Sequence, residues 1–348
     1  MSIEKLQKWA TMANIADELS DEQLEKVKQT VRRRYELDKE SMHQWLEDAN
    51  KIADLVELKP DEGGEGRYEG CANIRFPLIT TALINFASRA LQEVIKGNKA
   101  VNAKINGSDP QGLKTNKARR VVTVMNSELL HPSSTWPDNT DKMLHLLAAV
   151  GTAFKKSYYD PITDKIISRL MPYDKVIVNN NINSLEEAPA ITEEIELEKG
   201  YIKSGMIQEI FSEHDLELFT HDDDAESWNP EFIEQHIKLD LDGDDIPEPY
   251  MVLLHLNSNI ILRIRPNYTT DDIITFINSK GVEKVIEIKA YEYFTDYHFI
   301  RNPFGFYCYG YGSLLLYVND AVNTIFNQLV DAGTMSNTVG GIMGSGLS

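Results

Sequence analysis

The chain has 348 residues, 42% of them hydrophobic and 26% charged, enough apolar material for a sizeable core and enough length for two or three domains. Its 54 acids against 35 bases give a net charge of −19, a field that argues against binding nucleic acid by general electrostatic attraction. No run of 18 apolar residues occurs and Met1–Lys5 opens no apolar leader core, so neither a membrane span nor a signal peptide is expected.

The charge is unevenly distributed. Residues 186–248 hold 3 bases and 21 acids, whereas residues 1–185 and 249–348 are nearly neutral. Cys71 and Cys308 lie far apart and make no metal or redox spacing. Two isolated thiols fit a reducing compartment and read as packed side chains.

Residues 1–60 read as N-terminal helices. Ser20-Asp21-Glu22-Gln23 has the form of a capping box, and Leu24, Val27, Val31 and Tyr35 follow at helical spacing. Trp45, Leu46, Ala49, Ile52, Ala53 and Val56 continue the stripe towards Pro60. The basic run Arg32-Arg33-Arg34 sits among Glu25, Glu36, Asp38 and Glu40, which predicts a solvated or salt-bridged face rather than a nucleic-acid contact. Residues 61–70 are a Gly- and Glu-rich loop. Further helices are expected over 77–97, 114–130 and 140–159, the last broken by Pro161.

The period changes from about residue 166. Ile166–Leu170 and Lys175–Val178 are short β-branched runs, Ile191–Leu197 alternates weakly, and 199–210 suits a short helix. Residues 211–236 are acidic and poorly patterned, as in an exposed connection. Ile237–Leu241, Tyr250–Leu256 and Ile260–Arg265 suggest a meander, and Val285–Ala290 and Tyr291–Phe299 add strands. A last helix is expected over about 312–331, followed by a Gly- and Ser-rich end. Helices, then strands, then a helix predict an α+β fold.

Four constellations stand out. Asp240, Asp242 and Asp244 occupy positions 1, 3 and 5 of a calcium-type loop, a spacing that converges carboxylates on a hard cation. Position 6 is Asp245 where the sharp turn calls for Gly, and position 12 is Met251 where a bidentate Glu belongs. A hairpin turn with Asp side chains capping backbone N–H groups is therefore the competing reading, with calcium the cation the loop would take. His214 and His221 lie among acids in what reads as an exposed loop. Tyr291–Tyr311 carries ten aromatics but one base, Arg301, which favours core and subunit-interface packing over base stacking. The phosphate-binding, nucleophile-elbow and zinc-protease motifs do not occur, so no catalytic residue is assigned and the chain is not expected to be an enzyme.

The last helix is the most informative. Leu314, Leu315, Val318, Ala321, Val322, Ile325, Phe326, Leu329 and Val330 form an apolar face. Asn319, Asp320, Asn323, Asn327, Gln328 and Asp331 form a polar one, and no Lys or Arg follows Arg301. Such an uncharged face suits close helix–helix contact, or a surface that must not grip a polyanion.

Several of these stretches together resemble the portal proteins, or head–tail connectors, of tailed bacteriophages of the podovirus-like type. They are Tyr35–Trp45, Cys71-Ala72-Asn73-Ile74-Arg75-Phe76-Pro77, the Asp240–Tyr250 hairpin, and the run from Asn302-Pro303 through Gly310, Gly312, Asn319–Asn323 and Asn327-Gln328 to Asp331–Thr334. The resemblance implies a non-enzymatic homo-oligomeric ring, usually of twelve subunits (a dodecamer), at one capsid vertex. DNA would pass through its channel during packaging and ejection. It implies residues 61–300 as a β-rich wing region and 301–348 as the start of a stem. Asn319, Asp320, Asn323, Asn327, Gln328 and Asp331 would be channel or oligomerisation residues.

The implied partners are further copies of the chain, capsid protein, the large terminase subunit, head-completion or tail-adaptor proteins, and double-stranded DNA passing without tight binding. The implied location is the virion, with host cytoplasm during assembly and no membrane association. Portals of this type continue past such a helix into a clip, a second stem helix and a crown, so a truncated or partial chain is expected. Two rival classes are a calcium-binding enzyme or adhesion module built on Asp240, Asp242 and Asp244, and a virion or prophage scaffold that assembles without forming a DNA gate.

Overall fold

The computed structural model describes residues 3–59, 71–160, 164–219, 231–277 and 283–337. The expected loop over 61–70, His221 and the Gly- and Ser-rich end beyond residue 337 lie outside them. In chain order the helices are α1 Ile3–Ala10, α2 Asp21–Val56, α3 Leu78–Val94, α4 Leu113–Leu129, α5 Trp136–Val150, α6 Lys199–Ile207 and α7 Tyr311–Asn337. The strands are β1 Thr152–Asp160, β2 Lys165–Leu170, β3 Val176–Val178, β4 Ala190–Glu196, β5 Glu231–Leu239, β6 Glu248–His255, β7 Ile260–Pro266, β8 Ile273–Ile277, β9 Glu283–Ile288 and β10 Phe294–His298. The fold is α+β and ends its described part on a long helix.

The chain divides into two compact units. The first comprises residues 1–44, 154–296 and 302–307. Its centre is an antiparallel five-stranded sheet in the order β3-β4-β5-β6-β7. Seven of the eight β6 residues are buried, as an interior strand covered on both faces requires, while the central β5 shows the alternation of a strand with one wetter face. Phe232, Leu253 and Leu262 from the sheet pack with Ile202, Phe211 and Phe219. Gly205 allows this close approach, because a Cβ there would lie 2.3 Å from the Phe211 ring.

Across β1, β2, β4 and β5 runs a network of charges centred on the buried Glu193, with Lys156 and Glu234 half-buried and Arg169 exposed. Lys156 Nζ bonds Glu193 and Glu234, and Arg169 bonds Glu193 at 2.9 Å. Burial works to raise the Glu234 pKa, but the His236 ring 3.5 Å away and the Lys156 charge overcome it and hold the carboxyl well below its ordinary range. Such a network contributes little net stability but is costly to break on one side.

The capping box expected at Ser20 is present: Gln23 N–H donates to Ser20 Oγ at 3.3 Å, and Ser20 N–H donates to Gln23 Oε1 at 3.1 Å. Arg32 pairs with Glu36 and Arg34 approaches Asp38, so the Arg32–Arg34 run does form a salt-bridged face.

The second unit comprises residues 45–153, 297–301 and 308–348. It is built from the C-terminal part of α2 with α3, α5 and α7 in mutual contact. Phe86, Phe299 and Tyr311 pack edge to face, with ring centroids 4.9–6.3 Å apart. Cys308 is buried and Cys71 half-buried; neither is in a disulfide.

The helix expected over 140–159 is corrected. Helix α5 ends at Val150, and residues 152–160 are strand β1, paired antiparallel with β2 from Lys155↔Leu170 to Asp160↔Lys165. The strands therefore begin well before residue 166. The switch is Gly151, whose φ of +90° closes the helix and whose missing Cβ would lie 2.3 Å from the Cys308 carbonyl oxygen. Two other differences concern strands. β5 begins at Glu231, inside the stretch expected to be an exposed connection, and β8 forms a two-stranded sheet with β9 where no strand was expected.

Candidate functional site: the C-terminal helix and the acidic turn

Helix α7 turns its polar face inward. Asn319, Asn323 and Asn327 are 2%, 4% and 5% exposed, and with Asp331 they repeat every four residues, one row along the helix. Against this row lies the extended segment 71–77. The backbone N–H groups of Ala72, Ile74 and Phe76 donate to Asp331 Oδ1 at 2.6 Å, Asn327 Oδ1 at 2.7 Å and Asn323 Oδ1 at 2.8 Å. Asn327 Nδ2 returns a bond to the Ile74 carbonyl at 3.1 Å.

The two periods match. Four helical residues rise ~6.0 Å and two extended residues ~6.6 Å, so every second amide of the segment meets every fourth side chain of the helix. The side chains act as the neighbouring strand of a ladder. Asn319 Oδ1 and Asn323 Nδ2 are buried without a hydrogen-bond partner. Asp320 and Gln328 are exposed and Asp331 is half-buried.

Glycines let the start of α7 approach α5. A Cβ on Gly310 would lie 2.3 Å from the Ala149 carbonyl oxygen, and one on Gly312 would lie 2.4 Å from Ile52.

The opposite face of α7 is apolar and open. Leu314, Val318, Ile325 and Leu329 share one stripe at helical spacing and are each more than half exposed, Leu329 at 68%. Tyr317 and Met335 flank it, also exposed. At its start the stripe continues into a groove against α3, lined by Phe86, Arg89, Ala90, Tyr311, Leu314 and Leu315. A helix in a finished hydrophobic core has the reverse arrangement.

The acidic turn connects β5 to β6 after the Leu239↔Glu248 pair. Oxygens of Asp240, Asp242 and Asp244 lie within 4.8 Å of one another. The same carboxylates build the turn. Asp240 Oδ1 accepts the Gly243 N–H at 2.6 Å and Asp240 Oδ2 that of Asp245 at 3.0 Å; Asp242 and Asp244 accept from Asp244 and Ile246. Gly243 and Asp245 both take left-handed φ, +80° and +66°. Just inside the turn, Glu248 is 2% exposed, and burial together with the nearby Asp242 charge pushes its carboxyl up to about 7. These bonds are what a capped hairpin turn needs.

The remaining candidates disperse. His214 sits edge-on to Phe219, while His221 lies outside the described residues. The aromatic stretch contributes Phe294, Phe306 and Tyr307 to buried packing and leaves Phe304 88% exposed. No helix among the described residues is long and apolar enough to cross a membrane.

Sequence reasoning missed that segment 71–77 covers the amide face of α7. The visible signal was the Asn319, Asn323, Asn327, Asp331 repeat, a side-chain row with the pitch of an extended strand. The chain matches no known protein-family model and no curated protein sequence.

Proposed function

We propose that this chain is a structural subunit of a bacteriophage portal-like ring, in which copies pack through α7 around a channel that passes double-stranded DNA. One observation carries the reading: α7 lays its asparagine row on segment 71–77 of its own chain and leaves the Leu314–Val318–Ile325–Leu329 stripe uncovered. Burial of such a stripe is worth roughly 25 cal/mol per Å², and copies of the same helix around an axis can supply it. The absence of Lys and Arg after Arg301 suits a passage for a polyanion, since each phosphate neutralised by a cation adds affinity and drag. The resemblance noted in the sequence supports the same reading.

On this reading the contacts between copies fall on the apolar stripe, while Asn319, Asn323 and Asn327 hold segment 71–77. Capsid protein, terminase and tail adaptors are the partners it carries, and the virion vertex its location.

Electron microscopy of negatively stained particles tests it. Rings with a central hole and α7 near the axis are expected. A monomer at every concentration, or a ring with α7 at its outer edge, would refute it. The protein should also bind duplex DNA weakly, and a sub-micromolar Kd at physiological salt counts against the proposal.

A further inference from the structure

Helix α4 is unlike every other long helix of the chain, because none of its 17 residues is buried. A lone helix of that length is marginal in water and ordinarily gains its stability from packing one face. Here its ends are tied locally. Asn126 Oδ1 accepts the N–H groups of Ala100 and Val101, and Asp109 Oδ2 accepts from Thr115. Its surface combines two things. Leu113, Val121, Val124 and Met125 are 42–66% exposed. Lys114, Lys117, Arg119 and Arg120 are exposed, and none of the four is in an ion pair among the described residues. Residues 95–127 hold seven cations and one acid in a chain of net charge −19.

The complementary surface is on the first unit. Tyr201, Ile207 and Leu218 are 60%, 75% and 51% exposed around α6 and the turn that follows it. Between them Glu209, Glu213, Asp215 and Glu217 are exposed, and no Lys or Arg occurs from 204 to 219. We infer that α4 of one copy docks on the α6 and Glu209–Leu218 surface of a second copy, apolar side chains facing apolar, with Lys114, Lys117 and Arg120, which share the side of Leu113, Val121 and Val124, facing the acids.

This rests on the reading of the chain as a homo-oligomer and names two surfaces that join its copies. The two differ, so the contact is head-to-tail, the kind that generates rings or open filaments rather than closed pairs. Opposite charge would set the register and exclude the like-charged alternatives, α4 on α4 and acid on acid. Duplex DNA would satisfy the cations but offer nothing to Val121, Val124 and Met125. The α7 stripe would satisfy the apolar residues but carries no acid, since Asp320 and Asp331 lie on its other side.

Charge reversal tests the inference in the full chain, by sedimentation velocity and light scattering. Lys117→Glu with Arg120→Glu should raise the dissociation constant of the oligomer ~tenfold or more with an unchanged unfolding midpoint. Glu209→Lys with Glu213→Lys should do the same. An equimolar mixture of the two variants should associate again, because each reversed surface then meets its reversed complement. Wild-type mass in the Lys117/Arg120 variant, or no recovery in the mixture, overturns the inference while leaving a ring intact. A monomeric wild type overturns both readings. Loss of duplex binding with unchanged mass assigns the cations to a polyanion and overturns the docking.

Discussion

Helices α2 and α7 are the two longest in the chain, and they solve amphipathicity in opposite ways. α2 buries Val27, Val31, Tyr35, Met42, Ala49, Ile52 and Leu55 at helical spacing and leaves charges such as Glu22–Lys26 and Arg32–Glu36 outside. α7 buries an asparagine row and exposes Leu314, Val318, Ile325 and Leu329. α2 is completed by its own chain. α7 spends Asn323, Asn327 and Asp331 on segment 71–77 of its own chain and leaves its apolar stripe open, an arrangement that becomes favourable when another surface covers it. The lesson is that burial within one chain does not always follow hydrophobicity along a helix.

The contrast can be broken or sharpened by substitution. The largest effect should come from α2. Met42→Ala empties a fully buried site beside the Tyr307 hydroxyl and should cost about 2–5 kcal/mol in urea unfolding. Next is the asparagine row. Asn327→Ala strands the Ile74 N–H and carbonyl and should cost about 1–3 kcal/mol, although it makes the buried face of α7 more apolar. A stability gain would show that the row is not what holds segment 71–77.

A smaller effect is expected at Asp38, the buried acid on the α2 stripe. Burial raises its pKa above the ordinary 3.8, with the Asn179 hydrogen bond and Arg34 opposing. A raised carboxyl pKa favours the protonated native state, so this contribution is full below 3.8 and is lost as pH rises through the raised value. Asp38→Asn should flatten the stability profile across that window, read by urea unfolding at a series of pH values. The smallest effect on stability belongs to the open stripe. Ile325→Lys should leave the unfolding free energy of the monomer within about 0.5 kcal/mol while lowering the mass of the assembled particle. A large loss of monomer stability would mean that the stripe is covered within the chain.

Much of the fold was legible in residue patterns. The Ser20 capping box, the long stripes of α2, α3 and α7, and the order of helices and strands are short-range features, and the α+β class followed from them. The Asp240–Ile246 turn was legible as well, because an Asx-capped hairpin is set by residues two to five apart.

The candidate site was legible only in part. The two faces of α7 could be drawn from spacing, but which face turns inward could not. That depended on segment 71–77, some 250 residues away, offering backbone N–H groups at the pitch of the asparagine row. Strand β1 was misread because Phe154, Tyr158 and Tyr159 satisfy a helical spacing as well as a strand's. Gly151 and the pairing with β2 settle the matter in three dimensions. By itself, then, the sequence determined where helices form and how their faces are divided. The tertiary structure alone decided which face each helix buries, because a local pattern records periodicity, while burial depends on the partner that distant chain brings to it.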